Sequence, residues 1–156
     1  MNTVERLIQK KGTAVHTVAP DVSAVACARR MHAENVGSLV VQDGDEAVGI
    51  VTRKDLVREI AAEVGAIPDL TVREIMTSDV YAARIDDELK AIERRMLEER
   101  IHHVPVVRDG DVVGLITRED ILASRLEDAK ALGEELEDYL WTVDPDLAQA
   151  RETGAR

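Results

Sequence analysis

Gly49-Ile50-Val51-Thr52-Arg53-Lys54-Asp55 returns as Gly114-Leu115-Ile116-Thr117-Arg118-Glu119-Asp120, 65 residues later. The offset holds without a gap from 15–57 to 80–122. Across it Asp21 matches Asp86, Ala26 matches Ala91, and Arg29-Arg30-Met31 matches Arg94-Arg95-Met96. Glu34 matches Glu99, Val41 matches Val106, and Val48 matches Val113. Chance resemblances rarely repeat in register, so the chain is one supersecondary unit built twice.

Each unit reads strand, helix, strand, strand, helix. Val15-His16-Thr17-Val18 is a short strand, and Pro20-Asp21 opens a helix with Asp21 as its expected N-cap. Ala24, Cys27 and Met31 recur at helical spacing, and so do their partners Leu89, Ile92 and Met96. Leu39-Val40-Val41 and Val48-Gly49-Ile50-Val51 follow as strands, with Asp43-Gly44 as a hairpin signal. The second unit repeats them at 104–107 and 112–116 around Asp109-Gly110. Their near-continuous Val, Ile and Leu predict burial on both faces. Thr52 and Thr117 then start the helices that close each unit.

Gly65-Ala66-Ile67-Pro68-Asp69 reads as a linker, and Thr71-x-x-Glu74 as a capping box opening a short helix through Ile75-Met76. Residues 4–8 resemble that lead-in, with three extra residues before the first repeat. The last helix is expected to run toward Tyr139-Leu140-Trp141, with Leu122, Leu126, Ala129, Leu136 and Leu140 as an apolar stripe. A brief helix at Asp144-Pro145 and a frayed tail from Arg151 complete the reading.

The 156 residues suit one compact domain or two small halves sharing a core. That core is aliphatic, because the chain holds no Phe, one Trp and two Tyr. A net charge of −11 repels phosphate backbones and argues against general nucleic-acid binding. Fifteen Arg stand against five Lys beside 31 acidic residues, a balance that fits a high-salt cytoplasm or a GC-rich genome. No secretory signal or membrane-length apolar run is visible, and one Cys cannot form an internal disulfide, so the expected location is cytoplasmic.

The repeated motif puts a glycine in a strand, a threonine at the strand-to-helix junction and an aspartate in the first helical turn. The glycine leaves room for a ligand or for another backbone. The threonine hydroxyl can bond a phosphate or a ribose, and the aspartate can accept bonds from a ribose diol. Arg53 and Arg118 could neutralise phosphate. The same Thr-x-x-Asp spacing is close to a capping box, which needs no ligand. Spacing alone leaves both readings open.

With these motifs in hand, the chain resembles a tandem CBS-domain pair, or Bateman module, over about residues 2–125. The resemblance rests on the lead-in helices, the βαββα order, the doubled Gly-to-Asp ends, and Val104-Pro105-Val106-Val107 before the second hairpin. It implies an α/β (α+β) fold of two pseudo-symmetric βαββα repeats packed sheet to sheet, with an extended C-terminal helix. The corresponding divisions are repeat 1 with its lead-in at 2–64, a linker at 65–71, repeat 2 at 72–125 and a helical extension with tail at 126–156.

The resemblance also implies two clefts for adenosine ligands: AMP, ADP or ATP foremost, with S-adenosylmethionine or NADH as alternatives. By carry-over Thr52, Arg53 and Asp55 line one cleft, and Thr117, Arg118 and Asp120 the other. The adenine would lie against His16 and Val18 with Val36 and Ser38, and against Tyr81 and Ala83 with Ile101. His102 or His103 would meet phosphate. The pair would act without catalysis and without a catalytic cofactor, associate as a homodimer, and report to a separate partner protein. The competing reading is a structural or interaction module with vestigial clefts.

The repeats differ where phosphate would sit. Arg100, His102, His103 and Pro105 replace Asn35, Gly37, Ser38 and Val40. Adjacent strand residues point to opposite faces, so His102 and His103 cannot easily share a metal. Cys27 answers to Ile92 and reads as a buried, inert thiol. Asp55 and Asp120 have no neighbouring nucleophile or base pattern that would make them a catalytic pair. The Glu-rich segment 127–137 reads as a solvated helix face, with its leucine stripe alternatively a partner or dimer surface.

Overall fold

A computed structural model describes residues 3–62 and 70–143. The linker read at Gly65-Ala66-Ile67-Pro68-Asp69, the brief helix at Asp144-Pro145 and the tail lie outside the described residues, as does the Trp141 side chain. The chain divides into two compact units, Met1–Arg118 and Glu119–Arg156.

The first unit holds α1 (Val4–Lys11), β1 (Thr17–Val18), α2 (Ala24–Ala33), β2 (Ser38–Asp43), β3 (Glu46–Thr52) and α3 (Arg53–Ala62), followed by α4 (Val72–Ile75), β4 (Ala83–Arg84), α5 (Leu89–Glu98), β5 (His103–Arg108) and β6 (Asp111–Thr117). The second unit is essentially α6 (Arg118–Val143). Two three-stranded sheets form, ordered β1-β2-β3 and β4-β5-β6. In each, the first strand is parallel to the second and the second antiparallel to the third.

The duplication reaches fine detail. Val48 and Val113 are the bulged residues of the two hairpins, between Ala47 and Gly49 and between Val112 and Gly114. The hairpin loops differ in chemistry. The second is Asp109-Gly110, with φ of 54° and 97°, the signs of a type I′ turn. The first is Gly44-Asp45, one residue later than the sequence signal, and only Gly44 is positive, at 62°. Asn35 and Arg100 both take φ near 50° after the helices α2 and α5.

The N-cap reading needs correction. Helix α2 begins after Ser23, whose hydroxyl accepts from the Ala26 N–H, and not at Asp21. Ser23 is itself held in an antiparallel bridge to Thr71. This long-range pairing, invisible in the local pattern, fixes where the helix starts. The first strand is also shorter than read, only Thr17–Val18.

One core joins Val18, Ala24, Cys27, Met31, Leu39, Val41 and Val51 with Val72 and Ile75 of α4. The equivalent positions Leu89, Ile92, Met96, Val104, Val106 and Ile116 are buried too. Val40 and Ile50 point to the opposite face of the first sheet and are also buried, so burial on both faces holds. The sheets meet through β3 and β6.

The lead-in helices cross over. Helix α4 precedes the second repeat but fills the first core, and Ile50 exchanges both backbone hydrogen bonds with Thr77. Helix α1 precedes the first repeat but docks on the second. Val4 N–H donates to the Asp87 carbonyl, and Lys11 Nζ donates to the Leu115 carbonyl at 2.9 Å. The signature glycines lie under these crossings. A Cβ on Gly49 would stand 2.6 Å from the Thr77 carbonyl oxygen and 3.0 Å from Met76 Sδ. A Cβ on Gly114 would stand 2.5 Å from Ile8 Cδ1. Of the two sequence readings of the glycine, the structure supplies a passing backbone and side chain.

Candidate functional site

Alternation along β2 and β3 decides which side chains face the second sheet. Leu39, Val41 and Val51 enter the helix-side core, so Ser38, Val40, Ile50 and Thr52 share the other face. Ser38 and Thr52 are direct partners across the strand pair. By the same alternation on β5, His103 faces the first sheet. Its Nε2 lies 3.0 Å from the point where a Gly37 Cβ would be, and Arg53 Nε lies 3.9 Å from that point. Gly37, Ser38, Thr52, Arg53 and His103 therefore gather at one corner between the sheets.

The polar groups of this corner are unequally satisfied. Asp55, 5% exposed, is held at both oxygens. Its Oδ2 accepts from the Thr52 N–H at 2.8 Å and the Thr52 hydroxyl at 2.7 Å. Its Oδ1 accepts from Arg58 Nη1 at 2.9 Å, and Arg58 Nη2 donates to the Ile75 carbonyl at 3.0 Å. The Thr52–Asp55 pair is thus a helix cap in fact. Arg53 N–H donates to the Gly37 carbonyl at 3.0 Å and its Nε to the Val36 carbonyl at 3.3 Å. Ser38 is 3% exposed, and its hydroxyl meets no hydrogen-bonding partner. Buried hydroxyls are nearly always paired, so this orphan is the exception among the polar groups of the corner.

Other residues read from the sequence fall elsewhere. Val18 and Ala83 are sealed in their cores and offer no side chain to a ligand. Their neighbours Thr17 and Ala82 are only half-buried, and Thr17 lies beside Val40, on the sheet-facing side. Val36 packs on the first core, and Ile101 is half-buried with its N–H bonded to the Met96 carbonyl. His16 pairs with Glu34, which also accepts from Arg30 at 2.7 Å. The Arg30 hydrogen bond, more than that of His16, holds the Glu34 carboxyl below its usual range. Arg30 also donates to the Thr17 carbonyl. Tyr81, the counterpart of His16, lies under the Arg95 guanidinium, 4.8 Å from ring centroid to Cζ. Burial is the main cause pushing its phenol up.

In the second repeat, His102 is exposed and its Nε2 lies 3.1 Å from Arg118 Nη1, while Arg118 N–H donates to the His102 carbonyl at 3.2 Å. Thr117 is half-buried opposite His103 in the ladder. Asp120 is half-buried and belongs to the second unit. The sequence reading missed Arg58, although it stands three residues after Asp55, a spacing that pairs charges on a helix. Its repeat counterpart is Ala123. Cys27 is fully buried, and burial raises its thiol above the ordinary range. Among the described residues no group of three or more His, Cys, Asp or Glu could hold a metal ion. No described helix is long and apolar enough to cross a membrane.

Comparison with known proteins agrees with this architecture. The CBS domain family model matches residues 9–62 and again 72–127. The uncharacterized protein MK0525 of Methanopyrus kandleri is 35% identical over 111 residues, covering 69% of this chain and 56% of that protein. The chain thus spans little more than half of that relative's length. The crystal structure of the CBS domain NE2398 superposes with a TM-score of 0.77 at 32% identity, covering 81% of this chain and 99% of that one. The CBS domain pair of protein MJ0100, solved with 5′-methylthioadenosine and S-adenosyl-L-methionine, gives a TM-score of 0.70 at 30% identity over 83% and 98% of the two chains. Two family matches, one on each βαββα repeat, leave one conclusion: this chain belongs to the CBS-domain family and is a CBS pair, a regulatory module.

Proposed function

We propose that the pair senses an adenosine ligand at the corner formed by Gly37, Ser38, Thr52, Arg53 and His103, and passes its occupancy to a separate protein. The buried, unpartnered Ser38 hydroxyl carries this reading. A ligand hydroxyl or ring nitrogen there would satisfy it. Arg53 and His103 beside it suit an anionic group, the phosphate of AMP, ADP or ATP or the carboxylate of S-adenosylmethionine. The ligands of the MJ0100 pair support the adenosine class. In this reading Asp55 positions the corner by capping α3, and Val18 and Ala83 shape it only from within the cores. Occupancy becomes a signal only if the ligand prefers one arrangement of the sheets.

Thermal melts of the protein with AMP, ADP, ATP, S-adenosylmethionine, 5′-methylthioadenosine and NADH test the reading, since a ligand of the native state raises the melting temperature. Ser38→Ala should lower the affinity of the responding ligand about fivefold, the loss of one neutral hydrogen bond. No shift with any of the six at millimolar concentration would leave the competing reading, an interaction module with vestigial clefts. That reading draws on the saturation of Asp55 by Thr52 and Arg58.

A further inference from the structure

Helix α6 carries a long apolar surface that its own unit leaves uncovered. Leu122, Leu126, Leu132, Leu136, Tyr139 and Leu140 are each between 54% and 69% exposed. Leu122, Leu126, Ala129, Gly133, Leu136 and Leu140 follow one another at alternating steps of four and three. That is the 3.5-residue period by which two helices pack along a shared seam. The seam is uneven, with leucines at both ends and small residues in the middle. A glycine inside a helix is destabilising relative to alanine. Gly133 sits mid-helix, and nothing lies within 4 Å of where its Cβ would be. It is a notch in an otherwise leucine-rich ridge.

Notch and ridge select the occupant. In a parallel pair of these helices, equal positions meet. Gly133 would face Gly133 and Ala129 would face Ala129, leaving a void at the centre. In an antiparallel pair turned about the midpoint between residues 134 and 135, Gly133 faces Leu136 of the second copy and Ala129 faces its Leu140. Small meets large at every central layer, the condition for a filled interface. The same turn sets Lys130 across from Glu137 of the second copy, twice by symmetry, whereas the parallel arrangement sets Lys130 near Arg125. The acidic residues Glu127, Asp128, Glu134, Glu135 and Asp138 all fall off the seam and stay in water.

We propose that α6 is a self-association element: a second copy of this chain packs antiparallel along the 122–140 seam, knob into notch. Sedimentation equilibrium on the full chain tests it. The expected result is a dimer that Leu136→Glu weakens about a hundredfold. Because Leu136 is exposed, helical circular dichroism and the melting profile of that variant should stay those of a folded chain. Gly133→Leu separates the two orientations. It blocks the antiparallel seam and should weaken the dimer about tenfold, and Gly133→Leu with Leu136→Gly should restore it by exchanging knob and notch. Three results would overturn the proposal. The first is a monomer at every concentration. The second is a dimer indifferent to Leu136→Glu but split by Val57→Glu on the exposed face of α3. The third is a dimer strengthened by Gly133→Leu, which would place the helices parallel.

Discussion

Ser38 and Asp55 stand on the same strand-to-helix corner, both nearly out of water, and their polar atoms meet opposite fates. Asp55 accepts three hydrogen bonds, and the Ser38 hydroxyl makes none. Removing the capping carboxylate leaves the first turn of α3 uncapped and takes one partner from Arg58, which keeps the Ile75 carbonyl. Because Arg58 is half-exposed, most of the cost is the cap, about 1–2 kcal/mol. Removing the serine hydroxyl takes away a buried group with no partner, so Ser38→Ala should be neutral or stabilising by up to about 1 kcal/mol. Urea denaturation of Asp55→Ala and Ser38→Ala without ligand checks both signs. A stability loss for Ser38→Ala would mean that the hydroxyl is already satisfied in the free protein. The repeat made Thr52 and Asp55 legible as a pair. It could not show that Arg58 completes the pair, because the second repeat has Ala123 at that position.

At the scale of elements, duplication was a good guide to faces and a poor one to partners. Ala24, Cys27 and Met31, with Leu89, Ile92 and Met96, point inward as their shared spacing implies. Both hairpins form where their turn residues put them, to within one residue. The glycine of the signature was ambiguous because a Cβ-free site admits a ligand and a backbone equally well. Only the crossing of α4 over β3 and of α1 over β6 resolves it. These crossings predict unequal substitutions. Gly49→Ala presses on the backbone carbonyl of Thr77 and strains its bridge to Ile50, at a cost of about 2–3 kcal/mol. Gly114→Ala presses on the end of the Ile8 side chain, which can rotate or be trimmed. It should cost less than Gly49→Ala, and Ile8→Val should recover part of the loss. Melting temperatures of the three single variants and the Gly114→Ala/Ile8→Val double variant measure this coupling.

For the whole molecule, charge sets the response to pH. The chain carries 31 acidic residues against 20 basic ones, and some of those acids are committed to the fold. Glu74 is held low chiefly by the Thr71 backbone N–H, and Glu34 chiefly by Arg30. A carboxyl held below its unfolded value stabilises the fold above that unfolded value, and the contribution disappears as pH falls through the lowered one. Stability should therefore be flat from neutral pH down to the ordinary carboxylate range and fall below it. Glu74→Gln should show a shallower fall than the parent in melts taken from pH 7 downward. A parent whose stability rose on acidification would contradict the assignment.

The crossed lead-ins also set an order in time. Helix α1 is made well before β6, yet the groove it occupies is completed by β6, with Lys11 and Leu115 104 residues apart in the chain. On a ribosome delivering roughly 5–20 residues each second, α1 waits several seconds without its dock. The first repeat likewise lacks Val72 and Ile75 until α4 has emerged. Neither half can finish folding before the other has been synthesised. The closing step joins segments far apart in the chain, a high-contact-order step that should dominate the folding rate.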